Sequence, residues 1–209
     1  FEKKRLYLAV LGEKIKTFFG FKNEPIIVSN ACVSGILAVA VAKRYIQQDI
    51  YDHVFITSGD VITEFILSGF NSFQALSSAP CKPYDANRKG INIGEIAASA
   101  LVTNDATNLP EEAVSILGEG SCNDANHISG PSRTGEGLYQ SMQSAFAQAS
   151  MKPEDVDYIS AHGTATMFND EMEAIAFNRM HLNETPVNSL KGYFGHSLGA
   201  SGLVETIIG

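Results

Sequence analysis

The chain has 209 residues, 44% hydrophobic and 9% aromatic, with a mean hydropathy of zero and a formal charge of −8. This composition excludes a disordered, collagen-like or coiled-coil protein, and its longest apolar run, residues 36–42, falls far short of the roughly 20 residues a membrane span takes. The charge is uneven: residues 1–44 hold eight Lys and Arg against three Asp and Glu, the rest seven against twenty, an acidity that argues against nucleic acid as a partner.

The basic start, with Lys3, Lys4 and Arg5, reads as a solvated helix face or as a surface for an acidic partner. Cys32, Cys81 and Cys122 have no close spacing and read as free thiols in a reducing compartment. No signal-peptide pattern is present, so the expected location is cytoplasmic. The chain opens at Phe1 and stops at Gly209 directly after an apolar helical run, and is expected to be a piece of something longer.

Leu6, Val10, Leu11, Ile15, Phe18 and Phe19 recur near helical spacing, predicting an amphipathic helix that ends near Gly20. Ile26, Ile27 and Val28 predict a short buried strand. A small-residue helix follows over residues 33–47, then a strand over 54–57. The alternation predicts an α/β protein with a mainly parallel sheet. Residues 77–94 read as irregular and 96–103 as a strand. The polar stretch 104–112, with Pro110, is the expected boundary between two halves, 1–103 and 104–209.

The second half repeats the pattern. A strand is expected over 114–117, a Gly/Ser/Asn loop over 118–131 and a helix over 135–150. Residues 155–159 predict a strand leading into Ala161-His162-Gly163-Thr164. A helix over 170–180, a short strand over 186–189 and a final helix from Leu198 complete the chain.

Cys32 stands at a predicted strand-to-helix junction, where the positive end of the helix dipole is expected to lower its pKa and favour the thiolate. Read from this hexapeptide alone, a buried structural cysteine is the commoner case. His162 and His196 each sit beside glycine at a strand end, in a setting where backbone and substrate approach closely. One cysteine and two histidines together suit thiolate formation and enolate chemistry. Lys191 and Glu205 flank the second histidine, either as charge balance for it or as a surface pair worth little. A zinc site is discounted because the Cys and His spacings contain no Cys-x-x-Cys or His-x-x-x-His pair. No phosphate-binding glycine loop is present either.

Four motifs occur in order: Asn30-Ala31-Cys32-Val33-Ser34-Gly35; Lys82-Pro83-Tyr84-Asp85 through Arg88-Lys89-Gly90 to Gly94-Glu95; His162-Gly163-Thr164-Ala165-Thr166 with Asn169, Asp170 and Glu173; and Lys191 with Gly195-His196 through Gly199-Ala200-Ser201-Gly202 to Glu205. Together they closely resemble the β-ketoacyl-acyl-carrier-protein synthases of the elongating, two-histidine class. The resemblance implies a thiolase-like α/β fold of two similar halves in α-β-α-β-α layers, only partly covered by this chain. Residues 1–103 would form the later part of the first half and 104–209 the earlier part of the second.

It implies condensation of an acyl thioester with malonyl-carrier protein. Cys32 would carry the acyl group, and His162 and His196 would assist decarboxylation and stabilise the enolate. Lys191 and Glu205 match a supporting ion pair, and Thr164 and Thr166 match residues that hydrogen-bond the pantetheine arm. No metal or bound cofactor is implied beyond the phosphopantetheine arm of the acyl-carrier protein, which is the expected partner; a homodimer is the expected assembly. Val33 and Ile96 depart from the residues usual at their positions. The initiating class pairs one histidine with asparagine, so His196 argues against it. A noncatalytic partner subunit of such an enzyme is the alternative, though these typically lose the nucleophile.

Overall fold

The computed structural model describes residues 7–107, 109–124 and 132–209. The basic run Lys3, Lys4 and Arg5 and residues 125–131 of the expected glycine-rich loop lie outside the described residues.

Helix α1 (Leu8–Phe19) ends where Gly20 turns left-handed at φ 70° and donates its N–H to the last carbonyls. The next segment, residues 26–28, is not the buried strand its β-branched residues suggest. Among the described residues no strand pairs with it; Pro25 and Ile27 instead lie against Gly12 of α1, and Ile26 and Ile27 are exposed.

Helix α2 (Ser34–Gln47) leads to strand β1 (His53–Asp60), then helix α3 (Glu64–Ser72) and strand β2 (Ile96–Thr103). β1 and β2 pair antiparallel, from His53 opposite Thr103 to Asp60 opposite Ile96. That corrects the expected mainly parallel sheet. Residues 61–95 leave and re-enter the sheet at its Asp60 end, so the return strand must run backwards. The excursion is held in place by Asn92, whose amide donates to Ser77 O and Ala79 O and whose Oδ1 accepts the Cys81 N–H.

One face of this pair carries Val54, Ile56, Ala98, Ala100 and Val102 against Val39 and Ala42 of α2 and Leu203 of the last helix. On the other face Phe55 meets Phe19 and Phe21, at ring separations of 5.4 Å.

In the second half, helix α4 (Glu136–Ala149) packs on helix α5 (Met167–Arg179). Between them runs β3 (Ile159–Ser160), paired parallel with β4 (Val187–Asn188). The core here is Ala161, Phe177, Met180 and Leu182. The expected strand at 114–117 is absent: Val114 and Leu117 are exposed, and Gly118 and Gly120 lie against backbone carbonyls of α4 instead of beside a strand. The short helix α6 (Lys191–Phe194) and a 3-10 turn precede α7 (Ser201–Ile208).

The halves interlock where α2 meets α7. A Cβ on Gly35 would stand 2.4 Å from the Leu203 backbone nitrogen, and one on Gly202 would stand 2.7 Å from that of Ile36. Only glycine at both positions lets the two backbones approach this closely. The contact sets the start of α2, and with it Cys32, beside the turn that follows His196.

Candidate active site

Cys32 sits in a tight turn just before α2. Ala31 adopts φ 46°, a left-handed conformation that costs energy in any residue but glycine. Ser34 clamps the turn: its hydroxyl accepts the Asn30 N–H and donates to Ala31 O, both at 2.7 Å.

His196 is held from both sides of its backbone. Its N–H donates to Asn92 O at 2.7 Å, and its carbonyl accepts the Gly94 N–H at 2.9 Å. The ring is 1% exposed, and Nδ1 accepts the Leu198 N–H at 2.8 Å, with the Ser201 hydroxyl 3.3 Å away. An acceptor at Nδ1 places the proton of the neutral ring on Nε2. His162 follows β3; its N–H donates to Glu173 Oε1 and its carbonyl accepts the Ser189 hydroxyl. The two imidazoles meet edge to face, with centroids 5.2 Å apart.

The structure brings the three expected residues together. The Cys32 sulfur and one ring nitrogen each of His162 and His196 lie within 4.8 Å of one another. This is the one group among the described residues whose spacing suits a metal ion, which the linear sequence does not show. The chemistry of the donors fits poorly: with Nδ1 of His196 bonded to Leu198, the remaining nitrogen carries a hydrogen and donates.

Lys191 and Glu205 are not a surface pair. Lys191 is fully buried, and its ammonium donates to Glu205 Oε1 at 2.5 Å. Burial and then the Lys191 charge push His196 down to about 3. Burial, Lys191 and His196 also hold His162 well below the usual histidine range. Both rings are therefore neutral at physiological pH. The expected low pKa of Cys32 is not found. Burial pushes the thiol up; Lys191 opposes that shift, while Glu205 and Asp60 add to it. Desolvation is the largest of these effects, so the resting group is a thiol flanked by two neutral imidazoles.

Thr164 is buried, with its hydroxyl 2.8 Å from that of Thr166 and accepting from the Asn169 amide. Beneath this loop, Asp170 in the first turn of α5 and Glu173 in the next accept backbone N–H groups. Asp170 takes those of Tyr84 and Ala165, and Glu173 those of His162 and Gly163. Asp60, at the end of β1, accepts the Gly199 N–H at 2.8 Å and so ties the sheet to the turn after His196. Sequence reasoning gave these three acids no role. The signal available was an acid in the first turn of a helix, Asp170, which ordinarily reads as capping.

Residues 8–108 match the family described as β-ketoacyl synthase, N-terminal domain, and residues 114–208 match its C-terminal domain. The chain belongs to the β-ketoacyl synthases. It is 34% identical over 204 residues to nodulation protein E of Rhizobium leguminosarum bv. trifolii, covering 92% of this chain and 49% of that one. It is 36% identical over 196 residues to 3-oxoacyl-[acyl-carrier-protein] synthase 2 of Rhizobium meliloti, covering 86% and 46%. Among solved structures, a ketosynthase in complex with its chain length factor from Xenorhabdus doucetiae matches with a TM-score of 0.88 and 32% identity, over 96% of this chain and 49% of that one. The thiolase-like α/β fold expected from the motifs is thus the fold found. This β-ketoacyl synthase chain spans about half the length of the curated relatives it matches.

Proposed function

We propose that this chain carries the acyl-accepting thiol and both histidines of a β-ketoacyl-acyl-carrier-protein synthase of the elongating type. The observation that supports this most is the convergence of the Cys32 sulfur with a nitrogen of His162 and of His196 within 4.8 Å, both rings neutral. Residues 1–103 then belong to the first half of the fold and 104–209 to the second, a division supported by family matches to 8–108 and 114–208.

The reaction has two stages. In the first, a neutral imidazole takes the Cys32 proton as the sulfur attacks the acyl thioester of a carrier protein. The carrier thiol leaves with that proton, and the acyl group remains on Cys32. In the second, malonyl-carrier protein loses its carboxylate as carbon dioxide, leaving an enolate. The hydrogen on His196 Nε2 faces the developing oxyanion, with His162 beside it. The enolate carbon attacks the acyl-Cys32 carbonyl, the sulfur leaves as thiolate and regains a proton, and the β-ketoacyl chain stays on the carrier.

Lys191, paired with Glu205, adds to burial in keeping both imidazoles unprotonated and favours each anionic state of Cys32. Thr164 and Thr166 receive the pantetheine arm, the only handle the substrate needs. The partners are acyl-carrier protein, its acyl and malonyl thioesters and a second copy in a homodimer, in the cytoplasm.

The test is intact mass with peptide mapping after incubation with an acyl-carrier protein. An acyl adduct on Cys32 is expected and should be lost in Cys32→Ala. The absence of an adduct from the full-length protein would favour a noncatalytic partner subunit instead.

A further inference from the structure

Tyr84 has no part in the scheme above, yet it reaches the same loop. Its backbone sits at φ 63°, an uncommon conformation for a bulky residue, and its N–H donates to Asp170 Oδ2 at 2.8 Å. Its hydroxyl donates to Glu173 Oε2 at 2.9 Å. The same carboxylate accepts the N–H of His162 at 2.8 Å and that of Gly163 at 2.7 Å. The ring packs directly under the loop: Cε2 of Tyr84 would lie 3.0 Å from a Cβ placed on Gly163. A carboxylate with two free oxygens can rock; one with three donors from two directions cannot.

We propose that Tyr84 is a positioning residue for His162: its hydroxyl fixes the Glu173 carboxylate that holds the His162–Gly163 backbone. The functional consequence rests on the role given to His162 above. Burial pushes the Glu173 carboxyl up, and the Asp170 charge adds to this; the donors Gly163, Tyr84 and His162 oppose it. The other charges around it are already engaged. Arg88 lies 3.5 Å from Asp170, Lys191 pairs with Glu205, and on the α4 side Glu136 pairs with Arg179. Losing the Tyr84 hydroxyl therefore moves Glu173 protonation to higher pH, and a protonated carboxyl holds the loop less well.

The experiment compares the full-length wild-type protein with Tyr84→Phe, which keeps the ring. Amide hydrogen exchange at His162 and Gly163 should quicken about tenfold near neutral pH, the loss of one charge-assisted hydrogen bond, while Ala165, held by Asp170, keeps its protection. Malonyl decarboxylation should fall by more than Cys32 acylation, with its acid limb displaced upward. In a Glu173→Gln background, adding Tyr84→Phe should displace nothing further.

Unchanged exchange at His162 and Gly163, equal loosening at Ala165, or an equal displacement in the Glu173→Gln background would each overturn the proposal. If the wild-type protein decarboxylates nothing, the exchange measurement still decides the Tyr84 relay, and the failure belongs to the functional reading.

Discussion

His196 Nδ1 accepts the backbone N–H of Leu198 at 2.8 Å, so its Nε2 carries a hydrogen and is a donor. With burial and Lys191 holding the ring down to about 3, it stays neutral across the physiological range. Nitrogen-detected NMR should show this tautomer with no titration between pH 5 and 8. A midpoint near 6.5 would contradict it. The folded pKa lies below the unfolded value, so the unfolded chain binds more protons between about pH 3 and 6.5. Stability therefore falls as pH drops through that window, by up to ~1.4 kcal/mol per pH unit from this group alone.

Lys191→Met should act on several groups at once. It strands Glu205 in a buried setting and removes the one neighbouring charge that lowers the Cys32 pKa. Breaking a buried pair in this way costs about 3–5 kcal/mol, and Cys32 alkylation near pH 8 should slow. Pairing the change with Glu205→Gln should recover much of the stability but only part of the alkylation rate, because Glu205 raises the Cys32 pKa by less than Lys191 lowers it. Thermal melts and timed iodoacetamide labelling read the two effects separately.

The three thiols should be ranked by exposure under a simple alkylating agent. Cys122 is exposed, Cys32 is partly buried, and Cys81 is buried with its sulfur donating to Lys191 O. Near neutral pH Cys122 should label first, and Cys32 should catch up only as pH rises toward its elevated pKa. An acyl thioester on a carrier protein should reverse the order and modify Cys32. Peptide mapping that found Cys32 fastest toward both reagents would show a thiolate at rest.

Gly35→Ala and Gly202→Ala should each be destabilising out of proportion to one methyl group. The added Cβ would meet backbone nitrogen at 2.4 and 2.7 Å respectively, and backbone cannot rotate aside. Losses of about 1–3 kcal/mol or more are expected in chemical denaturation, together with slower acylation of Cys32. Gly69, with nothing near its Cβ position, is the control.

What the sequence carried well was local. Strand β2 occupies the residues its pattern predicts, and α2 and α4 begin and end within a residue or so of their predicted limits. Helix α3 goes unpredicted although Thr63 caps it, its hydroxyl accepting the Ile66 N–H. Residues 26–28 and 114–117 have strand composition, but a strand needs a neighbour, and no local pattern supplies one.

The site divides in the same way. Cys32, His162 and His196 were legible as motif residues. Their charge states depend on desolvation and on a lysine buried 159 positions from the cysteine along the chain. Tyr84 and Glu173 stand in the motifs without a legible role, and Asp60 was beyond reach because its partner Gly199 lies 139 positions away.

The crossing of α2 over α7 also makes the site depend on both ends of the chain. Asp60 and Gly199 meet across 139 positions, so completing the site requires closing a long-range contact. During synthesis the Cys32 thiol emerges well before the lysine and histidine that will flank it. A cut anywhere between α2 and His162 leaves the thiol on one piece and both imidazoles on the other. Separation of those pieces dismantles the group of Cys32, His162 and His196 in a single step.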